Sequence, residues 1–423
     1  MVDLTTPLTP EFTTQLFNEL TELRRHFHQN PDGCWNEFNT QAKVKEYLIE
    51  HAHISPEDIH ECATTGLIVN ISGPQNDEAA LEDVKCIAFR GDMDALPMTE
   101  DNPHLPYQSI NPGVAHMCGH DGHTTSLIGF GILMQRSRHL LPPNTCVRLL
   151  FQPAEEGGFG AVKMIEDGCL KGVDEIYGYH NDSDPFGSIV VKSGPFMAHS
   201  CRFYITINGP GGHGSAPHFT SDPIIAAAQM IMSMQSIVSR NISAQENAIL
   251  SITQVHGGEA DNVIPSQVRL SGTLRDFNPS VALLVHTRMK QIVENTAAAF
   301  NVTANIEFKD GYPVTFNHPF QTSTIEEIAA CVVGKDHIIT KGLPAQASED
   351  FSYYLQQVPG TYYFIGTQEA GESQRRDCHR NTYDFNDKVL PLTVRMFLEI
   401  VQRRLECILY SSDEMTMIYP SQA

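Results

Sequence analysis

Positive charge is scarce in this sequence. Its 423 residues include 28 Lys and Arg against 50 Asp and Glu, which gives a formal net charge of −22. Nucleic acids and anionic membrane surfaces are bound through clustered basic side chains, so this excess of acidic residues argues against both. We therefore expect neither nucleic acid nor membrane as a partner.

Long apolar runs and paired cysteines are also missing. No stretch is long and apolar enough to span a bilayer, and the N-terminal segment lacks the basic flank and apolar run of a signal peptide. The 10 cysteines are scattered without a CxxC pair. In a large chain without a secretory signal, such cysteines are expected to be reduced and mostly buried. These absences predict a cytoplasmic protein.

Short apolar runs alternate with amphipathic segments in the first part of the chain. Residues 84–89, 145–151 and 173–179 have the composition of buried strands, and 124–136 has helical periodicity. Such alternation predicts an α/β fold, in which a mostly parallel sheet is covered by helices on both faces.

The pattern changes near residue 201. Strands are predicted over 201–208, 247–256, 267–276 and 302–308, with helices over 223–239 and 280–300. This βαββαβ order is that of a ferredoxin-like α+β domain. We therefore predict a discontinuous catalytic domain of residues 1–198 and 311–423, interrupted by a smaller domain of residues 199–310.

Side chains that can bind metals occur where the predicted strands end. They lie in HMCGHDGH at 116–123, in QPAEEGG at 152–158, at His180 directly after a strand, and in CHRN at 378–381. Catalytic groups of open α/β sheets gather beyond the carboxyl ends of the strands. Three of these segments are therefore expected at one crevice, which His379 could reach from the C-terminal part of the chain.

The residue types suit a pair of divalent ions. Thiolate and imidazole favour zinc or a neighbouring transition metal, and carboxylate extends the choice to manganese or cobalt. Glu155 and Glu156 can divide two roles, one binding metal and the other taking a proton from an activated water. Each segment alone has a commoner explanation, because buried Cys and His are frequent and adjacent glutamates often lie on a solvated surface. Spacing alone does not identify the reaction.

A set of motifs adds a family resemblance. The motifs occur in this order: HMCGHDGH, LLFQPAEEG, GYH, GGHGSAPH, GGEADNVIP, SEDFSYYLQ and CHRNTYDFND. Together they resemble the aminoacylase, hippurate hydrolase and auxin-conjugate amidohydrolase family, over about residues 23–404. The resemblance implies hydrolysis of the amide bond of an N-acyl-amino acid. It also implies two divalent metal ions per subunit, with zinc or manganese preferred over cobalt or nickel. A homodimer formed through the inserted domain is implied as well.

The resemblance also implies roles for individual residues. It implies five metal ligands: Cys118, His120, Glu156, His180 and His379. Cys118 would bridge both metals, and Glu155 would act as general base and then as the acid that protonates the leaving amine. Asp92 and Asp94 would orient the ligands, although Asp92 could equally stabilise the turn that follows its strand.

Three further residues are implied in the inserted domain. His213 lies at the family position that polarises the substrate carbonyl, and Asn262 and Arg275 lie at positions near the substrate. Arg275 is a candidate partner for a substrate carboxylate. Two alternatives stay open: a dipeptidase or carboxypeptidase of the same superfamily, and a metal-dependent binding protein without catalysis. The Glu155–Glu156 pair argues against the second, because a binding protein needs no general base.

Overall fold

The computed structural model describes residues 8–75, 85–372 and 374–421. The chain divides into a larger unit and a smaller one. The larger unit comprises Met1–Gly194, Phe316–Gly342 and Tyr353–Ala423, and the smaller unit comprises Pro195–Thr315 and Leu343–Ser352. The smaller unit thus includes a second segment, 343–352, that the predicted boundaries assign to the catalytic domain. Those boundaries stay a prediction.

An eight-stranded sheet is the centre of the larger unit. Its strands are β1 (Ile59–Cys62), β2 (Gly66–Ser72), β3 (Lys85–Asp92), β4 (Thr145–Gln152), β5 (Glu175–Pro185), β6 (Ile189–Val190), β15 (Ile338–Ile339) and β16 (Gly360–Gln368). They are ordered β1-β2-β4-β3-β5-β16-β6-β15, and the central strands β4, β3, β5 and β16 run parallel. Strands β3, β4 and β16 are almost entirely buried, as expected for a parallel sheet covered on both faces.

The larger unit also contains helices. They are α1 (Pro10–Gln29), α2 (Phe38–Glu50), α3 (His120–Ser137), α4 (Gly160–Glu166), α7 (Pro319–Val332), α9 (Val389–Arg404) and α10 (Ser412–Ile418), and α8 (Phe351–Leu355) lies where the two units meet in sequence. Helix α3 is buried along nearly its whole length. Its Phe130 packs against Phe89 of β3 and Phe397 of α9, with ring centroids 4.6 and 5.3 Å away. No described helix is both long and apolar enough to cross a membrane.

The smaller unit contains a four-stranded antiparallel sheet. Its main elements are β8 (His199–Asn208), α5 (Pro223–Ser236), β10 (Ala248–His256), β12 (Gln267–Asp276), α6 (Pro279–Ala299) and β13 (Thr303–Asp310). The strands not yet named are short: β7 (Gly194–Met197), β9 (Gly212–His213), β11 (Val263–Ile264) and β14 (Thr315–Asn317). The strand order β10-β12-β8-β13 and the βαββαβ succession are those of a ferredoxin-like fold. Both helices begin at Pro, after Asp222 and Asn278 side chains that cap them.

The structure confirms the predicted fold class and corrects one detail near the candidate site. His180 lies within β5 and does not follow it. The strand continues because Asn181 and Asp182 still pair in parallel register with Ile365 and Gly366 of β16. Sequence periodicity ended the strand early because Asn and Asp are poor strand formers, whereas pairing with a neighbour overrides that preference.

Candidate metal centre

The predicted metal ligands of the larger unit converge at the carboxyl ends of its parallel strands. Cys118 and His120 stand at the start of α3, Glu155 and Glu156 follow β4, and His180 lies in β5. His379 comes from the loop before α9. The fold thus brings together side chains that are more than 250 residues apart in sequence, for instance Cys118 and Cys378 (|i−j| = 260).

Cys118, His120 and His180 form the first group of possible ligands. Their ligand atoms lie within 4.8 Å of one another, and Cys118 Sγ is 3.4 Å from His180 Nε2. His120 Nδ1 donates to the Asp94 carbonyl at 2.8 Å, and His180 Nδ1 donates to the Asn181 carbonyl at 2.7 Å. Because a carbonyl only accepts, each neutral imidazole is fixed as the tautomer whose Nε2 is free of hydrogen. Both Nε2 atoms can therefore bind a cation.

Cys118, Glu156 and His379 form a second group. Their ligand atoms also lie within 4.8 Å, and His379 Nε2 is 3.1 Å from Glu156 Oε1. The backbone of His379 has a positive φ of 64°, and its N–H donates to the Met117 carbonyl at 2.6 Å. This contact holds the loop beside the Cys118 turn. Cys118 belongs to both groups, so its sulfur is placed where one atom could serve two ions.

Asp94 connects the two glutamates to His120. Its carboxylate accepts the backbone N–H of Glu155 at 3.0 Å and of Glu156 at 2.9 Å. Its carbonyl accepts the proton of His120 Nδ1. His120, Glu155 and Glu156 themselves form a third group of neighbouring ligand atoms. One buried aspartate therefore sets the position of the loop after β4 and the orientation of the imidazole.

Two glycines permit the close approach of these segments. Gly119 has a φ of +96°, and a Cβ there would lie 2.1 Å from Asn181 Oδ1. A Cβ on Gly160 would lie 1.7 Å from the Pro153 carbonyl oxygen. Any larger residue at either position would force the segments apart.

The sequence predicts no role for His123, which lies beside the candidate ligand His180, with ring centroids 4.6 Å apart. Its Nδ1 is 2.6 Å from Asp92 Oδ1, and its Nε2 is 2.7 Å from Asn181 Oδ1. Since both ring nitrogens are engaged, His123 supports the ligands and does not offer a free nitrogen. Burial opposes ionisation of Asp92, but Arg90, His120 and His123 hold the pKa of that carboxyl well below its usual range. Helical spacing from His120 could have signalled that His123 shares its face of α3.

A cation would resolve several unfavourable features of this cluster. Among the described residues, His120 Nε2 is buried without a hydrogen-bond partner and is 3.7 Å from Asp92 Oδ2. The Cys378 side chain, burial and the nearby Glu156 and Glu155 raise the pKa of the Cys118 thiol well above its usual value. Burial keeps the pKa of His180 low, so its ring is neutral. Buried thiol, imidazole and carboxylate groups in this arrangement fit divalent metal ions.

The other predicted residues lie in the smaller unit. His213 is exposed on β9, and its Nδ1 accepts the Ser215 N–H at 3.1 Å, which places the proton of the neutral ring on Nε2. The Asn262 carbonyl accepts the Gly214 N–H at 2.7 Å. Arg275 donates to Thr273 Oγ1 at 2.5 Å and to the Leu274 carbonyl at 2.7 Å. The predicted roles of His213, Asn262 and Arg275 toward substrate stay predictions.

Comparison with known proteins finds a matching family and similar relatives. Residues 88–403 match the family described as peptidase family M20/M25/M40. A similar protein is the N-acetyl-L-cysteine deacetylase of Bacillus subtilis (strain 168), 39% identical over 360 residues, which are 85% of this chain and 82% of that protein. Another is thermostable carboxypeptidase 1 of Saccharolobus solfataricus, 35% identical over 88% of this chain and 92% of that protein.

A solved structure is similar as well. It is the Bacillus subtilis YXEP protein, described as a dinuclear metal binding peptidase from the M20 family. The match has a TM-score of 0.77 and 32% identity, and it covers 93% of this chain and 100% of that chain.

Proposed function

Because this chain belongs to peptidase family M20/M25/M40 and is a metal-dependent amidohydrolase, we propose that it hydrolyses N-acyl-amino acids to a carboxylate and a free amino acid. The observation that carries the proposal is the convergence of Cys118, His120, Glu156, His180 and His379 in neighbouring groups of possible ligand atoms, one of which includes Glu155. The similarity to an N-acetyl-L-cysteine deacetylase supports an acylated amino acid as substrate.

We propose that the five ligands would hold two divalent ions, with Cys118 as their only thiolate. Zinc or manganese suits this set of thiolate, imidazole and carboxylate best, with cobalt and nickel as further options. When bound, the ions supply positive charge that polarises the amide carbonyl and makes water more acidic. Asp94 orients His120 and Asn181 orients His180 through the hydrogen bonds described above, and His123 contacts the Asn181 side chain.

Glu155 moves the proton in the proposed reaction. Its side chain is only 7% exposed, and its backbone is fixed by Asp94. The carboxylate takes a proton from the attacking water and then delivers it to the nitrogen of the leaving amino acid. A buried and positioned carboxylate suits this task because bulk water competes little for the proton.

In the smaller unit, we propose that His213 donates a hydrogen bond to the substrate carbonyl oxygen. Its proton sits on Nε2 because Nδ1 accepts from the Ser215 backbone. Such a donor stabilises the negative charge that develops on that oxygen. Asn262 lies beside His213 through its contact with Gly214. We propose that Arg275 contributes positive charge for the substrate carboxylate.

A carboxypeptidase is the second candidate function. It is favoured by the similarity to thermostable carboxypeptidase 1. The same ligands and the same general base would serve a peptide bond, so the two candidates differ in the group bonded to the scissile carbonyl.

Turnover of a matched substrate panel distinguishes the candidates. The panel pairs N-acetyl, N-benzoyl and indoleacetyl amino acids with unblocked dipeptides and acyl-capped peptides that share the leaving residue. We expect release of free amino acid from one or more of the acylated amino acids, and at most weak cleavage of the dipeptides. Cleavage of peptides alone would instead assign the chain to the carboxypeptidases.

We also propose that the chain forms a homodimer through the smaller unit. Helix α5 exposes apolar side chains, including Ile225 (52% exposed) and Met232 (69%). Strand β10 is at the edge of its sheet and exposes Val255. Unpaired strand edges and exposed apolar side chains are features of protein contacts.

Light scattering after size-exclusion chromatography tests the dimer. The double variant Ile225→Glu, Met232→Glu is expected to run as a monomer, because charge in the contact opposes association. Leu283→Glu, at a 67% exposed position of α6, is the matched control and should stay dimeric. A monomeric wild-type protein, or a double variant that remains dimeric, would contradict this contact.

A further inference from the structure

A second cluster of metal-binding side chains lies in the smaller unit, at one end of its sheet. Cys201 of β8 and Asp310 of β13 are direct cross-strand partners, so their side chains share a face. His286 of α6 packs over the same face. The ligand atoms of the three residues lie within 4.8 Å of one another. Strands and helix thus bring together residues from three separate elements.

His286 has an unsatisfied polar atom in this cluster. Its ring stacks on Phe308, with centroids 4.0 Å apart, which fixes the ring plane. Among the described residues, its Nε2 is buried without a hydrogen-bond partner. Burial lowers the pKa of His286, so the ring is a neutral imidazole at pH 7. A buried nitrogen without a partner costs stability unless some group binds it.

Cys201 is the soft ligand of the cluster. It is 1% exposed, and its thiol donates to the Arg202 carbonyl at 3.3 Å. A buried cysteine alone is ordinary core packing. Here it adjoins a carboxylate and an unpartnered imidazole, a combination that core packing does not require.

His199 supplies a fourth possible ligand atom beside these three residues. Its Nε2 is 3.8 Å from Asp310 Oδ1, and its Nδ1 is 2.7 Å from Asp276 Oδ2. A histidine that donates one ring N–H to a carboxylate is the usual supporting arrangement of a metal-bound imidazole. The cluster therefore has four donors, one of them already oriented.

We propose that Cys201, His199, His286 and Asp310 bind a zinc ion, distinct from the ions of the catalytic centre. Thiolate, imidazole and carboxylate are all groups that bind zinc, and four of them match its usual coordination number. With zinc–ligand bonds of about 2.0–2.3 Å, the ligand atoms of Cys201, His286 and Asp310 must approach one another by up to about 1 Å. The zinc would join α6 to β8 and β13 and stabilise the smaller unit.

The cysteine distribution allows a clean experiment. Cys201 is the sole cysteine of the smaller unit, Pro195–Thr315 and Leu343–Ser352. In full-length protein with both Cys118→Ala and Cys378→Ala, the catalytic centre has lost both of its neighbouring thiols. Cobalt(II) added to that variant should then give a thiolate-to-cobalt charge-transfer band from Cys201 alone. Adding Cys201→Ala should abolish the band, whereas adding Cys331→Ala, at an exposed cysteine, should leave it unchanged.

Zinc content provides the second measurement. Wild-type protein should retain one more equivalent of zinc per chain than Asp310→Asn or His286→Gln, with hydrolytic activity unchanged. Asp310 has a 67% exposed side chain, so Asp310→Asn should fold even if Cys201→Ala does not. Equal zinc contents of wild type and Asp310→Asn, or a cobalt band that survives Cys201→Ala, would overturn the proposal. Failure of the catalytic assays would not affect either readout.

Discussion

Glu155→Gln is expected to lower kcat for an N-acyl-amino acid by about 10²- to 10⁴-fold, with the bound metal retained. Glutamine has nearly the same size and keeps the backbone N–H that donates to Asp94 at 3.0 Å. It cannot take a proton from water or return one to the leaving amine. Steady-state kinetics and metal analysis of the same sample measure the two effects separately.

Two other glutamates, Glu156 and Glu166, serve as controls for this variant. Glu156→Gln removes a charged ligand, so it should lose metal and activity together. Glu166→Gln lies on α4 with a 61% exposed side chain and should behave as wild type. Metal-replete Glu155→Gln with near wild-type kcat would refute the role of Glu155 as general base.

Much of the site follows from the position of residues relative to strands. A reader of the sequence can find the end of β4 from its apolar run, and the general rule for parallel sheets then places Glu155 and Glu156 at the crevice. The motif resemblance adds Cys118, His120 and His379. Strand ends and motifs are local features, so they can be predicted from the sequence.

Supporting contacts are harder to predict because they depend on register between distant segments. Nothing in the order of residues indicates that Asp94 accepts the N–H groups of both Glu155 and Glu156. Similarly, Asn181 meets His123 because β5 continues past His180 to pair with β16. Strand pairing determined that continuation, whereas local propensity predicted an earlier end.

The cluster in the smaller unit illustrates the same limit. Cys201, His286 and Asp310 are separated by long stretches and match no short spacing motif. Periodicity predicts that Cys201 lies in a strand and His286 in a helix, but the predicted last strand ends at residue 308, before Asp310. Only the antiparallel register of β8 with β13 aligns Cys201 with Asp310. Without that register, the residue types alone give no reason to group Cys201, His286 and Asp310.

Metal removal is the second large effect we expect. Protein stripped with a chelator should lose hydrolysis of N-acyl-amino acids by at least about 10³-fold, because several kcal/mol of transition-state stabilisation depend on the ions. Adding back zinc, manganese, cobalt or nickel separately should restore activity with at least one of them. His120→Ala should remain inactive at the metal concentration that restores the wild type, since it lacks the buried Nε2 ligand.

Metal-dependent hydrolysis at this centre is tested most directly by the release of free amino acid by stripped and metal-reloaded protein, assayed in parallel with His120→Ala. We expect no release by stripped protein, recovery on reloading, and no recovery in the variant. Unchanged release after complete metal removal, or wild-type activity of His120→Ala, would contradict metal-dependent hydrolysis at this centre.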